Sequence, residues 1–165
     1  MTFHKTAGLG RSGEDMVIQL LNNANLEAVK NDDLAKKYDY DVMFKIGKAT
    51  KTIEVKFDYM AVKTGNLCLE YHNSKKDEPS GIFVTKADLW CQIILDDTNP
   101  TIWISSVKKV KAFIAANTPH KTIKSGGDKN ANLFLYRLDD ILPVFTRIDN
   151  IDADDLLPSI KKVLK

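Results

Sequence analysis

Asp41, Glu54 and Lys56 are residue types whose spacing suits phosphodiester chemistry. Two carboxylates offer hard oxygen ligands to a cation such as Mg²⁺, which keeps several waters and also takes phosphate oxygens. Such a cation lowers the pKa of a bound water and offsets negative charge building on the phosphate. A lysine on the same surface can position or help deprotonate the attacking water and neutralise the phosphate. An isolated acid-x-lysine triplet is also what any solvated strand face displays, so everything depends on the elements that make these groups converge.

Residues 38–46 and 51–57 read as the two strands of a hairpin. Strand side chains alternate faces, which puts Val42, Phe44 and Ile46 with Ile53, Val55 and Phe57. Asp41, Met43 and Lys45 then share the other face with Thr52, Glu54 and Lys56. A loop over Gly47–Thr50 pairs Ile46 with Lys51. That register sets Asp41 opposite Lys56 and Met43 opposite Glu54, with Asp41 and Glu54 diagonal at about 7–8 Å.

Upstream, after a flexible Ala7–Gly10, a helix is predicted from Ser12 to about Asn23, with Asp15 in the capping position. Its apolar stripe is Val17, Leu20, Leu21 and Ala24, and Glu14 leans along the same side. Downstream, the pattern predicts a strand over Leu26–Lys30, a third hairpin strand over Asn66–His72 and a charged loop over Ser74–Gly81. A buried helix follows, opening at Thr85 and running through Ile94. Then come a strand over Thr101–Ser105, a helix over Val107–Ala116 and a basic, glycine-bearing loop between Asn117 and Asn130. A last strand over Leu133–Leu138, a helical turn toward Phe145 and a terminal helix over about Asp154–Leu164 complete the chain. The expected fold class is α/β, a mixed sheet flanked by helices.

The chain has 165 residues, long enough for one domain with a real core, spanning 1–165 with residues 12–94 as its centre and 101–165 completing it. A net charge of only +2 excludes a general polycation, so any nucleic-acid surface has to be a local patch. Cys68 and Cys91 sit in apolar segments without a CxxC pattern, which argues against a zinc site or disulfide framework. No stretch has the length of a membrane span and the N-terminus lacks a signal-peptide centre, making a reducing, cytoplasmic location the expectation. The Ser125-Gly126-Gly127 turn lacks the spacing of a nucleotide-binding loop, and nothing supports NAD or ATP use.

Glu14, Asp41, Glu54 and Lys56, in that order on helix, strand and strand, resemble the PD-(D/E)XK nuclease superfamily of restriction-endonuclease-like fold, particularly its Holliday-junction-resolvase-like and small phage nuclease branches. The resemblance covers roughly Ser12 to Ile94. It implies that Asp41 and Glu54 bind metal, that Lys56 is the motif's lysine, and that Glu14 is the extra helical glutamate of the resolvase-like branch. Tyr40 replaces the proline that precedes the motif's aspartate, leaving Asp39 as a second candidate for that role. The resemblance further implies a Mg²⁺-dependent DNA endonuclease, with Mn²⁺ as substitute and a homodimer as the working unit. Two cleavage habits fit it: structure-selective cutting in recombination or repair, or sequence-selective homing, restriction-type or nicking activity. A non-catalytic nucleic-acid-binding domain of the same fold is the reading from another class.

Around this core, Glu70 is a candidate additional carboxylate, and Ser80 and Thr85 are candidate hydrogen-bond partners for carboxylate or phosphate. His72 could contact phosphate. Lys75, Lys76 and Lys86, with Lys121, Lys124 and Lys129 in the later loop, are the candidate DNA-binding cations. Phosphate neutralisation by such lysines would make affinity fall steeply with salt.

Overall fold

The structure is a computed structural model and describes residues 3–32, 39–96, 99–126, 130–148 and 153–165. Lys129 and the first residue of the hairpin stretch, Tyr38, lie outside the described residues.

The chain opens with α1 (Phe3–Asn23), nine residues longer at its start than its capping pattern predicted, so Ala7–Gly10 is helical. Its stripe of Val17, Leu20 and Leu21 is buried against a six-stranded sheet. That sheet comprises β1 (Ala28–Lys30), β2 (Val42–Ile46), β3 (Ala49–Asp58), β6 (Leu89–Asp96), β7 (Asn99–Ser106) and β10 (Thr146–Ile148). Its order is β1-β2-β3-β6-β7-β10, with β3 and β6 parallel and every other neighbouring pair antiparallel. Helix α5 (Ala153–Val163) shares the α1 face, burying Leu156, Ile160 and Val163 in the same cluster as Phe44, Ile53, Cys91 and Ile102. Phe44 is fully buried there, and truncating such a ring to Ala costs about 3–5 kcal/mol.

On the other face lies a second sheet, ordered β5-β4-β9-β8, made of β4 (Asn66–Asn73), β5 (Glu78–Pro79), β8 (Lys121–Gly126) and β9 (Ala131–Arg137). Helices α2 (Ala61–Thr64), α3 (Val107–Ala116) and α4 (Leu138–Ile141) help enclose a second apolar cluster around Trp90, Leu67, Leu69, Val110 and Tyr136. The mixed central sheet flanked by helices is the fold class expected from the sequence. Cys91 is buried, Cys68 is half-buried, and both are free.

Three expectations are corrected. Residues 89–94 form a strand rather than a helix, because β6 is sandwiched between β3 and β7 with both faces covered; an apolar run without period-2 alternation is how such a strand reads. The Asn66–His72 strand leaves the hairpin sheet for the second one, where it pairs with β9. The basic segment after Asn117 contains β8, an edge strand with Lys121 and Lys124 exposed, a residue type that discourages edge-to-edge pairing.

Candidate active site

The hairpin turns through Gly47 and Lys48 alone, with Gly47 at φ +59°, so Ile46 pairs with Ala49. The expected four-residue loop is therefore overturned, and every cross-strand partner moves by two residues. A shift of two keeps each side chain on its face. Asp41 now falls opposite Glu54 instead of Lys56: Val42 pairs with Ile53, and the Asp41 N–H donates to the Ile53 carbonyl at 2.9 Å. The tighter turn thus brings the two acids face to face across the ladder.

Each carboxylate is fixed. Asp41 Oδ2 accepts from the Val55 N–H at 2.7 Å. Glu54, only 7% exposed, receives the Lys56 ammonium on Oε1 at 2.5 Å and lies 3.0 Å from the Thr85 hydroxyl through Oε2. Thr85 itself is 4% exposed, and its oxygen is also 3.0 Å from the Asp39 carbonyl, so its one proton serves Glu54 or that carbonyl. The capping role read for Thr85 is replaced by this contact, while Asp88 accepts from Thr52 and pairs with Lys51. The parallel register sets Trp90 beside Glu54, and the Lys56 ammonium lies 5.8 Å from the indole centroid, within cation–π range.

Burial, followed by the like charge of Glu54, pushes the Asp41 carboxyl up to about 6; Lys56 and the Val55 N–H work against that rise and Glu14 adds to it. For Lys56, burial is the largest single influence and disfavours the ammonium. The fields of Glu54 and Asp41, the bond to Glu54 and the field of Glu70 together outweigh it, holding its pKa above the usual lysine value.

These groups form one wall of an open cleft of about 580 Å³ whose opposite wall comes from β4, β5 and the turn after them: Glu70, Asn73, Lys76, Glu78, Ser80 and Val84. Glu70 therefore does reach the site, from the second sheet, and its Oε1 accepts from the Ser80 hydroxyl at 2.6 Å. Gly81, at φ +54°, makes that crossing possible. A Cβ there would stand 2.3 Å from the Glu70 carbonyl oxygen, closer than any side chain tolerates.

Other candidates disperse. Glu14 does not line the cleft; its carboxylate pairs with Lys30, and its charge still reaches Asp41. Asp39 pairs with Lys86 at 3.1 Å and is not on the cleft wall, so it does not share Asp41's position. Lys76 lines the cleft and pairs with Glu78 at 3.4 Å, and Lys75 is exposed at the tip of the β4–β5 turn. Lys121 and Lys124 lie on β8, at the far edge of the second sheet from β5, away from the cleft lining. His72 sits 3.3 Å from Asp77 and 3.2 Å from Asn132, outside the cleft lining. Trp90, which a helix over 85–94 leaves out of the site, stands beside Glu54 because residues 89–94 form a strand parallel to β3.

Among the described residues, no three or more His, Cys, Asp or Glu groups converge as a metal cage. What fits a divalent cation is a two-carboxylate arrangement: Asp41 and Glu54 are all-oxygen donors, and Asp41 is crowded by like charge that a cation would relieve. Mg²⁺ suits such sites because water and phosphate oxygens complete its shell.

No protein-family profile matches the chain, and no curated protein sequence matches it. Among solved structures, a bacterial homing endonuclease is similar over 62% of this chain and 70% of its own, with TM-score 0.48 and 16% identity. Hjc of Archaeoglobus fulgidus, a Holliday junction resolvase from an archaeal hyperthermophile, is similar over 84% of this chain and 91% of its own, with TM-score 0.42 and 14% identity.

Proposed function

We propose that this chain is a metal-dependent DNA endonuclease whose phosphodiester hydrolysis is centred on Asp41, Glu54 and Lys56. The observation that carries this reading is Asp41 directly across the ladder from Glu54, with the Lys56 ammonium on Glu54, at the wall of an open cleft. Asp41 and Glu54 would hold Mg²⁺, or Mn²⁺ in its place, through carboxylate oxygens. The bound cation would offset charge on the phosphate and make a water more acidic.

The chain's own groups do the rest. Thr85 and the Val55 N–H fix the two carboxylates, so their oxygens are presented without rotamer search. Lys56 has three N–H donors, of which one engages Glu54; the others serve a phosphate oxygen and the attacking water. Trp90 backs that ammonium. Glu70 and Ser80 close the opposite wall, and Glu14 acts at a distance through its charge on Asp41. We favour structure-selective cutting, in recombination or repair, over sequence-selective cutting, because no recognisable DNA-reading module stands in the sequence. Two chains acting as a homodimer would supply one site per strand of a duplex, and Lys76 and Lys86, beside the cleft or close to its wall in sequence, are the lysines best placed to meet DNA phosphates.

Incubation of the protein with supercoiled plasmid and a synthetic four-way junction in Mg²⁺, Mn²⁺ or EDTA tests the reading. Strand cleavage with either metal and none in EDTA is the expected result. Binding without nicking under every condition would overturn it in favour of a non-catalytic DNA-binding domain.

A further inference from the structure

Two consecutive apolar side chains, Phe83 and Val84, are 44% and 38% exposed, and Val84 lines the cleft. Phe83 ends a turn of 3₁₀ helix, Gly81–Phe83, that Val84 caps and that connects the Ser80 wall of the cleft to Thr85. The turn is rigidly held. The Phe83 N–H donates to Ser80, the Val84 and Thr85 N–H groups to Gly81, and the Ser80 N–H to the carbonyl of Tyr71. Tyr71 is the extra residue of a β-bulge, where β4 changes register against β9 between Glu70 and His72.

Behind Phe83 stands a fixed aromatic stack. Phe134 meets the Phe83 ring edge-on, with centroids 6.3 Å apart and an interplanar angle of 84°, and itself stacks on Tyr71 at 3.9 Å and 6°. The exposed ring is therefore oriented before any ligand arrives, so little side-chain entropy is lost when something stacks on it. Val84, next in the chain after Phe83, lines the cleft together with Asp41, Glu54 and Lys56.

We infer that Phe83 and Val84 form a stacking platform for one unpaired nucleobase of the strand whose phosphate enters the cleft, so that the substrate class is DNA with an unstacked base beside the scissile bond. This rests on the nuclease reading above. The size of the surface selects the occupant: two side chains fall far short of the roughly 800 Å² per partner that a stable protein interface needs, whereas a single base presents one aromatic face. The position of Val84 in the cleft lining, directly after Phe83 in the chain, ties the platform to the active-site wall. Lys86, two residues beyond Val84 with its side chain 74% exposed, supplies positive charge close by in sequence for the strand's phosphates. A fully paired duplex keeps its bases stacked on one another and offers the platform nothing.

The test compares an end-labelled duplex with the same duplex carrying one unpaired base next to the cleavage position, using full-length wild type, F83A, F83Y and V84S. Cleavage is followed in Mg²⁺ and affinity by fluorescence anisotropy in EDTA at low salt. The wild type is expected to prefer the unpaired substrate in both measurements. F83A loses about tenfold or more of that preference, V84S loses part of it, and F83Y, which keeps a ring, retains it. Equal cleavage and equal affinity for the two duplexes by the wild type would overturn the inference, as would an unchanged preference in folded F83A and V84S. A shift in oligomeric state on F83A, seen by sedimentation without any change in DNA preference, would assign the patch to a second copy and overturn it too. Should the wild type cut neither duplex yet bind the unpaired one through Phe83, the nuclease reading fails and the platform stands.

Discussion

Asp41 and Glu54 face each other across the β2–β3 ladder, and each is held by a different part of the chain: Asp41 by the Val55 N–H at 2.7 Å, Glu54 by the Thr85 hydroxyl at 3.0 Å. Two acids so placed repel each other, and the folded chain tolerates this through those contacts and the nearby Lys56 ammonium.

The repulsion has a stability signature. Burial, then the charge of Glu54, pushes the Asp41 carboxyl up to about 6, above the value of about 3.9 for an aspartate in an unfolded chain. The folded state binds this proton more tightly, so the stabilisation is complete below about pH 4 and is lost as pH rises through about 6. D41N keeps an acceptor for the Val55 N–H and removes the charge. Without metal it is expected to exceed the wild type by about 3 kcal/mol near pH 8 and to match it near pH 4. Urea unfolding in EDTA at both pH values checks this, and a D41N protein less stable than wild type at the higher pH would refute the assignment.

Lys56 and Glu54 are expected to be required for turnover rather than for folding. E54Q and K56A should each lower cleavage by about a hundredfold or more, the scale seen when a fixed electrostatic group is removed from a reacting centre. Far-UV circular dichroism and DNA affinity measured alongside should change little. Undiminished turnover in both variants would remove the site from this face of the sheet.

Thr85 separates a positioning role from a merely structural one. T85V is nearly isosteric but leaves Glu54 Oε2 without its hydroxyl, which costs about 1–3 kcal/mol of stability for a buried unsatisfied acceptor. It should also raise the Mg²⁺ concentration needed for half-maximal cleavage, because Glu54 is no longer held in one rotamer. T85S should restore that requirement. A metal titration of both variants decides the matter: identical midpoints for T85V and wild type would confine Thr85 to packing.

Gly81 is the least replaceable residue of the cleft wall. An added Cβ meets the Glu70 carbonyl oxygen at 2.3 Å on a backbone already at φ +54°. G81A is expected to cost about 2 kcal/mol or more, combining the left-handed strain with the collision. Thermal melting measures it, and an unchanged midpoint would show that the turn relaxes freely away from β4.

The amphipathic stripe of α1 and the alternation across the hairpin could be read directly from the chain, because local periodicity depends only on side-chain polarity and backbone geometry. That alternation put Asp41, Glu54 and Lys56 on one face under either register, since a shift of two residues preserves parity. The helix over 107–116 and the terminal helix were equally legible. The run from Leu89 to Ile94 was not, because burial on both faces erases the period that separates strand from helix. Nor could the chain show that Glu70 and Ser80 would come back over the hairpin face from a second sheet: the pairing of β4 with β9 joins segments about sixty to seventy residues apart, and no local preference encodes it. Residue order thus determined which groups share the hairpin face. Only long-range pairing, driven by burying both faces of β6 and the apolar side of β4, decided that they would look out on a cleft.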